Sequence, residues 1–165
     1  MKSLATFALL LLLTVPALAK EGISISLNSD DSRTELGDRH ELRDARTAIT
    51  SQDRSVELML IGDVIAMQLS DRALNQMESK KKKDTNLLEE ILLAGVQVAV
   101  GKSIEYPVAS IKSIDYANGA LRIIGADGKP VFTEVKVNGT DVMRDFARAD
   151  AARFANAVRA ARSRK

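Results

Sequence analysis

The chain holds one histidine, His40, and no cysteine. Without cysteine there are no disulfides, thiol nucleophiles or thiolate metal sites. With one histidine, a metal centre built on paired histidines cannot form within one chain. His40 stands beside Asp38, Glu41 and Asp44, types that could ligate a metal or pass a proton. Either use needs ligands held by a rigid surround, and this stretch is too polar to promise one, so His40 is expected to be solvated on a polar helix. Nucleophilic attack of the Ser–His kind would need the same histidine, oriented by an acid inside a cleft. Carboxylates remain, since two facing carboxyls can do general acid–base work. With 22 Asp and Glu, however, pairs arise by chance and spacing singles none out. No GxGxxG, Walker-type or EF-hand spacing is present. Residues 125–129 (GADGK) suggest a phosphate loop but lie between two strand patterns, where a hairpin turn is the expectation. Catalysis is therefore not expected, although an enzyme working through carboxylates alone stays open as a lesser alternative, and no cofactor or metal is implied.

Two basic clusters could bind an anionic surface. Lys80, Lys81, Lys82 and Lys83 are consecutive, and the C-terminal stretch carries Arg153, Arg159, Arg162, Arg164 and Lys165. The functional reading is contact with lipid head groups or an envelope polymer. The plainer reading is a solvated connector and a helix end whose cations complement its dipole. Nucleic acid is not expected as a partner. The net charge is only +2, and no aromatic residues interleave the basic runs to stack on bases.

These residues need elements to hold them, and the first element is a leader. Lys2 precedes an apolar run over residues 4–13, Pro16 ends it, and Ala17-Leu18-Ala19 supplies small–x–small spacing. That is the pattern of a secretory signal peptide, with cleavage expected after Ala19. The apolar stretch is short of the ~20 residues that span a bilayer. A periplasmic or secreted protein is expected, with residues 1–19 as the leader.

Residues 20–54 are expected to form an N-terminal strand, alternating over residues 23–27, and then a mobile charged arm. Residues 28–55 hold only Leu36, Leu42 and Ile49 as larger apolar side chains, too few to offset the entropy of ordering. A marginal helix could start at Asp38, where Glu41 completes a capping-box spacing and Leu42, Ala45 and Ile49 share a face.

The folded domain is expected over residues 55–165. Residues 56–61 and 64–69 are apolar runs of strand length, joined by Gly62-Asp63, the order a type II′ hairpin wants. Ser70 and Asp71 offer caps for a short helix through Met77, and residues 80–84 are expected to connect. A second, more apolar helix is expected from Asn86 to about Lys102, with a strand over residues 96–100 as the alternative. Ile104, Tyr106 and Val108 alternate, and Pro107 suggests an edge. Ile114 and Tyr116, the hairpin pair Asn118-Gly119, then Leu121 and Ile123 lead to alternation over residues 131–137. A helix carrying Phe154, Ala155 and Val158 on one stripe closes the chain. Lys102-Ser103-Ile104-Glu105-Tyr106 returns as Lys112-Ser113-Ile114-Asp115-Tyr116, two similar strand segments rather than a solenoid. The class is α+β: a small antiparallel sheet, hairpin plus three-stranded meander, with an inserted helical pair and a C-terminal helix.

The run Ile104-x-Tyr106, Ile111, Ile114-x-Tyr116, Gly119, Leu121-x-Ile123, then a turn, a strand and a helix with Phe154, resembles bacterial pleckstrin-homology-like domains over residues 102–165. The resemblance implies a small antiparallel barrel closed by one C-terminal helix, and a binding or assembly module rather than an enzyme. It transfers no site residue, because binding surfaces on one fold differ between members. The expected function is thus that of an exported, non-enzymatic protein that binds another protein or itself, with anionic-surface binding through the basic clusters as the alternative.

Overall fold

The computed structural model describes residues 23–25, 33–81, 101–132, 135–137 and 140–163. The leader, the helix expected over residues 86–100, and Lys82, Lys83, Arg164 and Lys165 lie outside them. In chain order the strands are β1 (Ile23–Ile25), β2 (Glu35–Asp38), β3 (Thr47–Thr50), β4 (Val56–Ile61), β5 (Val64–Leu69), β6 (Lys102–Pro107), β7 (Ile111–Ala117), β8 (Ala120–Gly125), β9 (Val135–Val137) and β10 (Thr140–Asp141). The helices are α1 (Asp71–Lys81) and α2 (Arg148–Arg162).

Local turn chemistry sets the two hairpins. Gly62 takes φ +52° between β4 and β5, a left-handed conformation that costs glycine little. Asn118 and Gly119 both take positive φ, +54° and +75°, between β7 and β8, as a type I′ turn requires. β3, β4, β5 and β6 pair antiparallel in succession, and β2 adds to the far side of β6, giving the order β2-β6-β5-β4-β3. β7 and β8 form a second, two-stranded sheet, and β1-β9-β10 a third. The fold is a mixed α+β one, as the sequence leads one to expect.

The core lies between these sheets and α2. Val56, Leu58 and Leu60 of β4 share it with Ile65 and Met67 of β5 and Ile104 and Tyr106 of β6. Ile114, Leu121 and Ile123 face them from the second sheet, and Phe154, Ala155 and Val158 from α2. Phe154 and Val158 have no exposed surface. Tyr106, equally buried, satisfies its hydroxyl by donating to the Ser110 carbonyl at 3.2 Å, since a buried polar group left unpaired is costly.

Five expectations need correction. The charged segment is not a free arm: it supplies both outer strands of the five-stranded sheet, β2 against β6 and β3 against β4. Among its described residues the only helical piece is a 3₁₀ turn at Leu42–Asp44. The domain therefore does not begin at Ser55. Pairing with a formed neighbour orders these strands, which their own composition could not do. Secondly, α1 runs past Met77 to Lys81, so Lys80 and Lys81 belong to a helix and not to a connector. Ser70 caps it, accepting from the Ala73 amide at 3.1 Å. Thirdly, Lys102 starts a strand, and Gly101 before it takes φ +80°, so no helix reaches Lys102. Fourthly, β6 is an inner strand, and Pro107 is tolerated as its last residue, past the end of β2. Finally, the third meander strand does not form as one piece. Val131 donates to Ile123 and Pro130 bridges Ile124, but Phe132 takes φ +59° and turns the chain away. β9 then pairs with β1 and β10 rather than with β8.

Candidate functional site

On the face of the five-stranded sheet turned away from the core, the strand register sets polar side chains in a row. Glu57 of β4 stands opposite Gln68 of β5, Gln68 opposite Ser103 of β6, and Ser103 opposite Gly37 of β2. The first three are buried, Ser103 to 1 % exposure. The chain crosses over this row as it runs from β2 at one margin to β3 at the other, and His40 lies on that crossing. Gln68 grips its backbone at both ends: Oε1 accepts from the His40 amide at 3.0 Å and Nε2 donates to the His40 carbonyl at 3.0 Å. The same Nε2 reaches Glu57 Oε2 at 3.1 Å. His40 Nε2 meets Glu105 Oε1 at 2.7 Å. Ser103 Oγ is 2.9 Å from that oxygen and 2.9 Å from the Asp38 carbonyl. Arg39 adds a hydrogen bond to the Leu69 carbonyl and an ion pair with Asp71 at 2.7 Å.

His40 is therefore not a solvated residue on a polar helix. It sits in a serine–carboxylate–histidine cluster whose order is wrong for nucleophilic catalysis. Ser103 and His40 both bond the carboxylate, and no Ser–His bond exists to draw the proton from Oγ. What the cluster does is fasten the crossing segment. Gly37 is part of the fastening: a Cβ there would stand 1.8 Å from Glu105 Oε1, so only glycine lets the carboxylate lie over β2 and reach His40.

A carboxylate pair that spacing could not single out joins Asp53, in the turn between β3 and β4, to Asp145, just before α2. The Asp53 amide donates to Asp145 Oδ2 at 3.0 Å, and the Gln52 amide to the Asp145 carbonyl at 2.7 Å. Burial works to raise both acids. On Asp53 it is outweighed by donors, the Ser51 and Ser55 hydroxyls at 2.6 Å each and the Ser55 amide at 2.9 Å, so this carboxyl sits below its ordinary range. Asp145 is pushed up, by burial first and by the neighbouring Asp53 charge among the further causes. Opposite shifts in adjacent carboxyls can divide acid and base roles. Here the pair lies at an exposed corner, Asp53 itself being exposed, and ties that corner to the entry of α2.

Of the arginines expected on a basic surface, Arg153, Arg159 and Arg162 have structural partners. α2 lies against β3 and β7. Among the described residues β3 is the outermost strand on its side, and β7 has β8 as its only strand partner. Arg153 reaches the Ala48 carbonyl and Thr47 Oγ1 of β3 at 3.4 Å each, and pairs with Asp150 at 3.0 Å. Arg159 donates to the Ile114 carbonyl of β7 at 2.7 Å, and Arg162 to the Lys112 carbonyl at 3.0 Å. The Arg159 head thus caps a strand edge. Lys80 and Lys81 fall in the last turn of α1.

One margin of the main sheet has no such cover. Among the described residues, nothing pairs with the side of β2 away from β6. Leu36, in its middle, is 50 % exposed, one of two exposed large apolar side chains among the described residues. Asp38 is paired with Lys102 at 2.7 Å, whose hydrogen bond and charge hold its carboxyl below the ordinary range. No group of three or more His, Asp or Glu is placed to hold a metal ion among the described residues. No helix among them is long and apolar enough to cross a membrane. Protein-family models, curated proteins and solved structures were all compared with the chain, and none matches it.

Proposed function

We propose that this chain is an exported, non-enzymatic binding protein of the bacterial envelope, acting through contacts with another protein. The observation that carries this reading is the seating of α2 across the margins of β3 and β7. A small antiparallel sheet system closed by one C-terminal helix is what the resemblance to pleckstrin-homology-like domains implies, and that resemblance implies a binding module. The leader pattern over residues 1–19 supports export. The alternative, an anionic-surface binder, has less support: Arg153, Arg159 and Arg162 each spend their guanidinium on backbone carbonyls. Two measurements test the reading. Expressed with its leader in a bacterium, the protein should appear in osmotic-shock fluid with Lys20 as its first residue; Met1 retained in a membrane fraction would overturn the export step. Photo-crosslinking of the mature form in intact cells should then give one discrete protein adduct. A purely salt-dependent association with anionic vesicles, and no adduct, would favour the alternative.

A further inference from the structure

We infer that the outer margin of β2 is a docking site for an extended segment of another protein, one that alternates basic and apolar residues and adds beside β2 as a further strand. The inference rests on the binding reading above and gives it a surface and a partner chemistry.

The argument starts from the contrast between margins. An unpaired strand edge is a template for another chain, and folded proteins blunt it. Here α2 and its arginines cover β3 and β7, while no described residue pairs with the outer side of β2, which has a half-exposed leucine at its centre. An added strand takes backbone hydrogen bonds for affinity and uses alternate side chains for selectivity. Successive residues of β2 face opposite ways. Leu36, opposite Ile104, lies on the core side; Glu35 and Gly37, opposite Glu105 and Ser103, lie on the other. An incoming residue beside Leu36 is therefore best apolar. Those beside Glu35 and Gly37 meet two carboxylates, because the Glu105 carboxylate occupies the space over Gly37. Glu35 has no ion-pair partner among the described residues. The fitting segment reads basic–apolar–basic.

A second copy of this chain fits the margin less well. Antiparallel pairing of β2 with itself about its middle sets Glu35 against Asp38, like charges that destabilise a strand pair. Pairing about Gly37 sets Glu35 against Arg39, but that guanidinium is already held by Asp71.

The test uses the full mature chain and a capped peptide alternating lysine and valine. Amide shifts on titration should map to residues 33–38. A glutamate/valine peptide, and the lysine peptide N-methylated at alternate amides, should each bind about tenfold more weakly or worse. Glu35→Lys should invert the preference between the two charged peptides, and Leu36→Lys should weaken lysine-peptide binding by about tenfold. Equal binding of both peptides, or indifference to Glu35→Lys, would overturn the proposal. So would a dimer in sedimentation that Leu36→Lys abolishes, which would give the margin to a second copy. If Leu36→Lys does not fold, the Glu35→Lys inversion decides alone. A cellular cross-link that survives both variants would reject this surface and leave the binding function standing elsewhere on the molecule.

Discussion

At Gly37 a hydrogen atom in place of a methyl decides where a carboxylate lies. Gly37→Ala would force Glu105 off its position and break its 2.7 Å contact with His40. The expected cost is about 1–2 kcal/mol, the range for a strained or disrupted polar contact. In a Glu105→Ala background the same change should cost less, because nothing then occupies the space. Urea midpoints of the four proteins check it, and equal costs in both backgrounds would mean the glycine serves the strand alone. Asp145 behaves differently. Its raised pKa means that its contribution to stability is full below the unfolded value and is lost as pH climbs through the folded one. Asp53, lowered, contributes above the unfolded value and loses it as pH falls through the folded one. Asp145→Asn keeps an acceptor for the Asp53 amide and removes the like charge. It should stabilise the fold at pH 7 by no more than about 1 kcal/mol at so exposed a corner, read as a higher thermal midpoint, with the gain fading toward pH 4. None of these residues was legible as a site in the sequence. His40 meets partners 28 and 65 positions away, and Asp53 meets one 92 away. Residue type announces a chemical capacity; only the register of distant strands tells which capacities meet.

The elements divide by how locally their causes act. The β4–β5 and β7–β8 hairpins were legible because Gly62-Asp63 and Asn118-Gly119 carry their turn geometry in adjacent residues. α2 was legible from one stripe, the one that carries Phe154, Ala155 and Val158. β2 and β3 were not, since each is four residues long and neither alternates apolar with polar types. The run over residues 131–137 alternated well and still failed as one strand, because Phe132 leaves the extended region. For α2 the expected outcomes are unequal. Phe154→Ala removes a fully buried ring and should cost about 3–5 kcal/mol. Arg159→Ala should cost about 1 kcal/mol, more than an ordinary surface truncation, because it uncaps the Ile114 carbonyl. Urea midpoints separate the two, and equal midpoints would mean that α2 does not dock through its apolar stripe.

Taken as a whole, the molecule is more continuous than its composition suggests. A segment with three large apolar side chains in nearly thirty residues forms both margins of the main sheet. Trypsin should therefore cut at Arg39 and Arg46 only after global unfolding. Arg39 is held by Leu69 and Asp71, and the Arg46 amide bonds the Leu60 carbonyl. Mass mapping of early digests checks this; early cleavage at either residue would return the segment to a loose arm. The pairing of β1 with β9 bears on how the chain comes into being. Ile25 is matched with Val135, over a hundred residues along, so a chain made from its N-terminus releases the first strand long before its mate exists. Among the described strand pairings this one spans the longest stretch of chain and carries the largest loop-closure entropy, so it is expected to form late. Until then the β1 segment is a bare strand with its backbone donors and acceptors unpaired.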